Sequence, residues 1–184
     1  VTFFEPLPPP RAPEERRWAP PAWDRPSEGT LSSTLTVDAL LSQDENAVVS
    51  IPHLDVYPNG FRINVAILVN PNKAHEIQAS IHRRPMGSVR IGVRFADGRV
   101  GGRDGMFDAP RDEEGIPTRP IVRQLGGGGG SGGWRFSAWV FPLPPDGPLE
   151  IFVALPPPAT DETSVTVDGS EILAAAERAK VIWS

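Results

Sequence analysis

Residues 134–155 read W-R-F-S-A-W-V-F-P-L-P-P-D-G-P-L-E-I-F-V-A-L. In the second half, Leu149, Ile151, Val153 and Leu155 recur with period two and so share one face of a strand, with Phe152 and Ala154 on the other. In the first half, Trp134, Phe136, Ala138 and Val140 share a face, while Trp139, Phe141 and Leu143 take the opposite one. Strands apolar on both faces belong in the middle of a sheet, covered on one side by a second sheet and on the other by something else. Between them, Pro144-Pro145-Asp146-Gly147-Pro148 specifies a reversal, because proline holds φ at about −65° and glycine permits positive φ. The stretch is therefore expected to be a hairpin at the centre of a β domain. Its aromatics, Trp134, Trp139 and Phe141, are expected in the core, where such side chains dominate burial, rather than on a platform for sugars or bases.

Upstream, the same period continues. Leu35, Val37, Ala39 and Leu41 alternate with Thr36, Asp38 and Leu40, giving a first strand or a strand running into a short turn. Ala47, Val49 and Ile51 share a face, and after Pro52 the parity moves to Leu54 and Val56, as at a β-bulge or a crossover between sheets. Pro58-Asn59-Gly60 carries Asn-Gly, a strong hairpin signal. The clearest half-buried strand follows, with Phe61, Ile63, Val65, Ile67 and Val69 on one face. After a polar stretch at 71–87, Val89, Ile91, Val93 and Phe95 alternate with Arg90, Gly92 and Arg94 up to an Asp97-Gly98 turn. Ile63, Val65, Ile67, Val93, Phe95, Ile151 and Val153 are the expected core. Residues 99–118 read as a charged loop, 121–125 as a short strand, and the run G-G-G-G-G-S-G-G at 126–133 as a flexible linker. Past the prolines at 156–158, Val165 and Val167 mark one more strand. Asp168 with Glu171 resembles a capping box opening a helix over 169–183, whose apolar side carries Ile172, Leu173, Ala176, Ala179 and Trp183.

Some seven short strands with frequent turns predict a mainly β chain: an antiparallel β-sandwich, immunoglobulin-like in the loose sense, with one short C-terminal helix. The sandwich domain is expected to span 31–184. Residues 1–30 form an extended proline-rich arm with no strand or helix period. Phe3, Phe4, Leu7, Trp18 and Trp23 are unusual in a solvated tail and are the expected interaction residues. The arm is expected to wrap its own domain, with a neighbouring subunit or a partner as the alternative. The P-x-x-P-x-R match at 6–11 is too common in proline-rich sequence to mark an SH3 ligand.

At 184 residues the chain is long enough for one domain to bury about 70% of its unfolded surface. It has no cysteine, which excludes disulfides, thiolate metal sites and cysteine nucleophiles. The net charge of −5 and the lack of a basic patch argue against nucleic acid. No apolar run approaches the roughly 20 residues of a membrane span, and no secretory signal opens the sequence, so a cytoplasmic protein is expected. Lys73 and Lys180 are the only lysines among 18 basic residues, a bias that matches GC-rich coding.

The motifs Y-P-N-G-F (57–61), G-V-R-F-A-D-G-R (92–99), F-P-L-P-P-D-G-P-L-E-I (141–151) and F-E-P-L-P-P-P (4–10) resemble a family of uncharacterised proteins from high-GC Gram-positive bacteria, of the actinobacterial type. The resemblance spans most of the chain and implies a lineage but no activity.

No constellation of catalytic residues emerges. His53 and Asp55 share a strand face at metal-ligand spacing but lack a third partner. His75 and His82 are seven apart, without H-E-x-x-H. Asp104, Asp108, Asp112, Glu113 and Glu114 lie near Asp97, yet interleaved arginines and the absence of the calcium-loop spacing favour mutual neutralisation. The glycine run lacks the lysine and hydroxyl residue of a phosphate loop, and Ser131 has no neighbouring base. The expected function is a non-enzymatic protein-interaction or scaffold module with another protein as partner and no cofactor or metal. The alternatives are a carbohydrate or small-ligand module using exposed tryptophans and, behind it, an enzyme with a loop-borne carboxylate site.

Overall fold

The structure, a computed structural model, describes residues 21–75, 89–102, 109–130, 132–155 and 162–183. The period-two pattern is realised as two antiparallel sheets. One has five strands in the order β2 (Ser33–Gln43), β3 (Ala47–Tyr57), β4 (Gly60–Val69), β8 (Gly133–Phe141) and β7 (Ile121–Gly130). The other has four, in the order β10 (Thr163–Asp168), β9 (Pro148–Ala154), β5 (Arg90–Arg94) and β6 (Val100–Gly101). A short ribbon pairs β1 (Thr30–Leu31) with β11 (Lys180–Val181), on either side of helix α1 (Gly169–Arg178) in sequence. No helix among the described residues is long and apolar enough to cross a membrane.

The apolar faces of both sheets meet in one core cluster that also takes Ile172, Ala175 and Ala176 of α1. Ile63, Val65, Ile67, Val93, Phe95, Ile151 and Val153 are all buried. Their alternation with polar neighbours puts whole rows of side chains on the inner face, since a slip of one residue would turn every one of them to solvent. At Pro52 the pairing of β3 with β4 jumps from Ser50↔Ala66 to Leu54↔Ile63. This irregularity keeps both Ile51 and Leu54 buried across the change of parity. The Gln124 amide bridges the sheets by donating to the carbonyl of Val89.

Residues 134–155 are not a hairpin. β8 lies between β4 and β7 in one sheet, and β9 lies between β10 and β5 in the other, so 142–147 form an arch from sheet to sheet. A segment apolar on both faces satisfies either connection, and the sequence period does not distinguish them. The glycine run is not a linker either. Gly126 to Gly130 continue β7, pairing with β8 from Gly126↔Ser137 to Gly130↔Gly133. Within the expected loop at 99–118, Val100–Gly101 pairs with β5, and Arg111 bridges to Pro117. Helix α1 opens as expected on Asp168, whose carboxylate accepts from the Ser170 N–H at 2.9 Å. It stops at Arg178 rather than running to 183, and the chain then turns extended into β11.

Candidate interaction surfaces

Four of the five expected interaction residues, Phe3, Phe4, Leu7 and Trp18, lie outside the described residues, as do His82, Asp104 and Asp108. The fifth, Trp23, is half-buried in a turn against the outer face of the five-stranded sheet. Three side chains hold that turn. The Asn59 amide donates to the carbonyls of Ala22 at 2.6 Å and Arg25 at 3.0 Å, and its oxygen accepts from the Ser27 N–H at 3.4 Å. The Trp139 indole N–H donates to the Trp23 carbonyl at 2.9 Å. Arg123 reaches the Asp24 carboxylate at 2.5 Å and its carbonyl at 3.1 Å. The Arg111 guanidinium sits 4.6 Å from the centre of the Trp23 ring, within cation–π range.

This latch explains Trp139. Its register partners Arg62 and Arg123 lie on the outer face, yet it is fully buried, because residues 21–25 and the edge of Tyr57 cover it. Asp24 is buried too, and pairing with Arg123 compensates its loss of water. In sequence, Asn59 reads only as a turn residue, and Arg123 falls in the expected short strand at 121–125 with no role of its own. Their roles depend on partners more than thirty and about a hundred positions away.

Elsewhere the polar clusters are absorbed locally. His53 lies 3.7 Å from Asp55, whose other oxygen accepts from Asn64 at 3.0 Å. Asp112 caps its own turn by accepting from Glu114 and Ile116, at 3.0 and 2.8 Å. At Asp97, desolvation raises the carboxyl's pKa, but the Arg99 backbone N–H, guanidinium hydrogen bond and charge outweigh it, so the group titrates below its ordinary value. No group of three or more potential metal ligands occurs among the described residues.

Away from the latch, the described residues leave the outer face of the five-stranded sheet uncovered. One row runs across all five strands as Leu40, Ser50, Ala66, Arg135 and Gly128, and the next contains Val48, Leu68, Gly133 and Gly130. Leu40 and Leu68 are 60% and 63% exposed. Between them the small residues leave a shallow depression over Ser50, Ala66 and Gly128.

A second exposed apolar surface is the ribbon. Thr30 faces Val181 and Leu31 faces Lys180, and the carbonyl of Gly29 accepts from the N–H groups of Ile182 at 2.8 Å and Trp183 at 3.2 Å. Gly29 has φ of +70°, and a β-carbon there would collide with the Trp183 carbonyl, so only glycine allows this approach. Leu31, Val181, Ile182 and Trp183 are 60%, 61%, 45% and 75% exposed. Trp183, expected on the buried side of a helix, is thus the most exposed of the large apolar residues described.

On the four-stranded sheet, a cleft of about 350 Å³ is floored by Gly92 and Ala154 and edged by Phe152, Arg90, Arg94 and Glu162. Arg94 stacks 5.1 Å from the Phe152 ring and pairs with Glu150 at 2.8 Å. Of the four tryptophans described, Trp134 and Trp139 are buried, Trp23 is half-buried under Arg111, and Trp183 stands exposed. These positions present no exposed pair of tryptophans among the described residues. The chain matches no family model, no curated protein and no solved structure.

Proposed function

We propose that the chain is a non-enzymatic protein-interaction or scaffold module that binds another protein through the β1–β11 ribbon. The observation that carries this reading is the exposure of Leu31, Val181, Ile182 and Trp183 on a ribbon only two residue pairs long. An isolated two-stranded ribbon is marginal in water. Here large apolar side chains project from both of its faces, and clustered exposed apolar surface marks contact sites. Tryptophan is also enriched among the residues that dominate binding energy.

The two sheets and their shared core further support an immunoglobulin-like sandwich, in the loose sense of an antiparallel β architecture with connections that change sheet. A cytoplasmic setting is part of the same proposal. A second reading, a small-ligand module, is favoured by the cleft beside Phe152, where an aromatic wall and Arg90 would suit a planar anionic molecule.

The test is a pull-down from native lysate with the full chain and with a Val181→Ser, Trp183→Ser double variant. Both side chains are exposed, so the variant is expected to melt with the parent while losing the proteins that the parent captures. Capture of the same set by both proteins, or of none by the parent, would overturn the reading.

A further inference from the structure

The glycines of β7 differ by face. Gly127 and Gly129 turn inward, where Phe136 and Trp134 stand directly opposite them, and a β-carbon at either would collide with those residues. Their lack of side chains has a local cause: each lets an aromatic ring lie across the strand. Gly128 and Gly130 turn outward. Neither has a left-handed φ, and a β-carbon at either would meet nothing within 4 Å. Glycine weakens a strand interior and often marks close approach of another backbone or a ligand. Nothing among the described residues makes that approach at Gly128 or Gly130.

We propose that residues 1–20 dock on this open half of the outer face of their own domain, laying Phe3, Phe4 and Leu7 over Gly128 and Gly130 and the depression beside Leu40 and Leu68. Three observations point to this occupant. First, the described chain begins on the same face, since residues 21–25 are latched to Trp139 and Arg123. Along β8, Trp139 is four residues from Arg135, which pairs with Gly128, a separation of about 13 Å at about 3.3 Å per residue. Twenty residues of polyproline II reach about 60 Å, so length is no obstacle.

Second, the chemistry repeats what the inner face already does. Aromatic rings cover Gly127 and Gly129 from within, and the outward glycines offer the same flat backbone to aromatics from outside. Prolines suit a segment that lies on a face rather than joining a ladder, because they lack the donor and lose less entropy on ordering. Third, one charge pair matches at the phenylalanines. Arg135 is exposed in the same row and forms no ion pair among the described residues, and Glu5 follows directly after the two phenylalanines.

The absence of native cysteine allows a direct test in the full chain. Leu40→Cys and Leu68→Cys variants, exposed at the rim of the depression and leaving Gly128 and Gly130 free, would each carry a benzophenone label, with the exposed Ser164→Cys on the other sheet as control. Equal amounts of isotopically heavy and light protein would be mixed, irradiated and digested with trypsin. The segment is tethered equally to both sheets, so an excess reports docking rather than tethering: capture of the 1–11 peptide should exceed the control by at least about tenfold. It should also join heavy to heavy and light to light. Equal capture from Ser164→Cys, no capture of that peptide, or adducts that mix heavy with light would overturn the proposal. The mixed result would assign the surface to a second copy instead.

Discussion

Replacing Asn59 with alanine probes whether the latch is a structural element or an incidental contact. The substitution removes two donated hydrogen bonds, to the Ala22 and Arg25 carbonyls, and one accepted from the Ser27 N–H. A typical intramolecular hydrogen bond contributes about 0.5–1.5 kcal/mol net, and the 3.4 Å bond from Ser27 falls at the weak end. Because water can replace part of what is lost at this partly exposed site, the expected destabilisation is about 1–3 kcal/mol. Asn59→Asp sharpens the test. It keeps an acceptor for Ser27 but sets a carboxylate against two carbonyl oxygens, so its loss at neutral pH should be at least as large. Urea denaturation with global fitting measures both. A second readout is the accessibility of Trp139, which is fully buried beneath the latched turn and should become quenchable by acrylamide in the alanine variant. A loss below half of ~1 kcal/mol together with unchanged quenching would refute the idea that Asn59 holds residues 21–27 on the sheet.

Two further outcomes test the strand and the core. Gly127→Val should destabilise by about 1–3 kcal/mol, because the new side chain must displace the Phe136 ring and approaches the Arg135 carbonyl; a flexible linker would tolerate it, so an unchanged melt would contradict the strand. Ile151→Ala empties a fully buried position between Val93 and Val165 in the sheet and should cost about 2–5 kcal/mol by chemical denaturation.

What was legible from sequence is what a single strand decides for itself. In β4, every second residue from Phe61 to Val69 is apolar, and each is buried, because side chains that alternate across a strand leave one arrangement that covers them all. The change of parity at Pro52 and the Asn-Gly turn before β4 are equally local, as is the capping of α1 by Asp168. These features follow from backbone geometry within a few residues.

Tertiary structure decided whatever depended on a distant partner. The prolines of 142–148 permit a reversal or an arch with equal ease, and only the two sheets' need to bury both β8 and β9 between other strands selects the arch. Glycine has high intrinsic entropy in an isolated chain, so five in succession read as a linker. Opposite Phe136 and Trp134, however, the absence of side chains is what lets β7 pair at all. The helix ends at Arg178 because Lys180 and Val181 find strand partners in Leu31 and Thr30, about 150 positions earlier in the chain. The same holds for the latch: Asn59, Arg123 and Trp139 acquire their roles from residues 22–27, and no local pattern records a contact that only the folded sheet brings together.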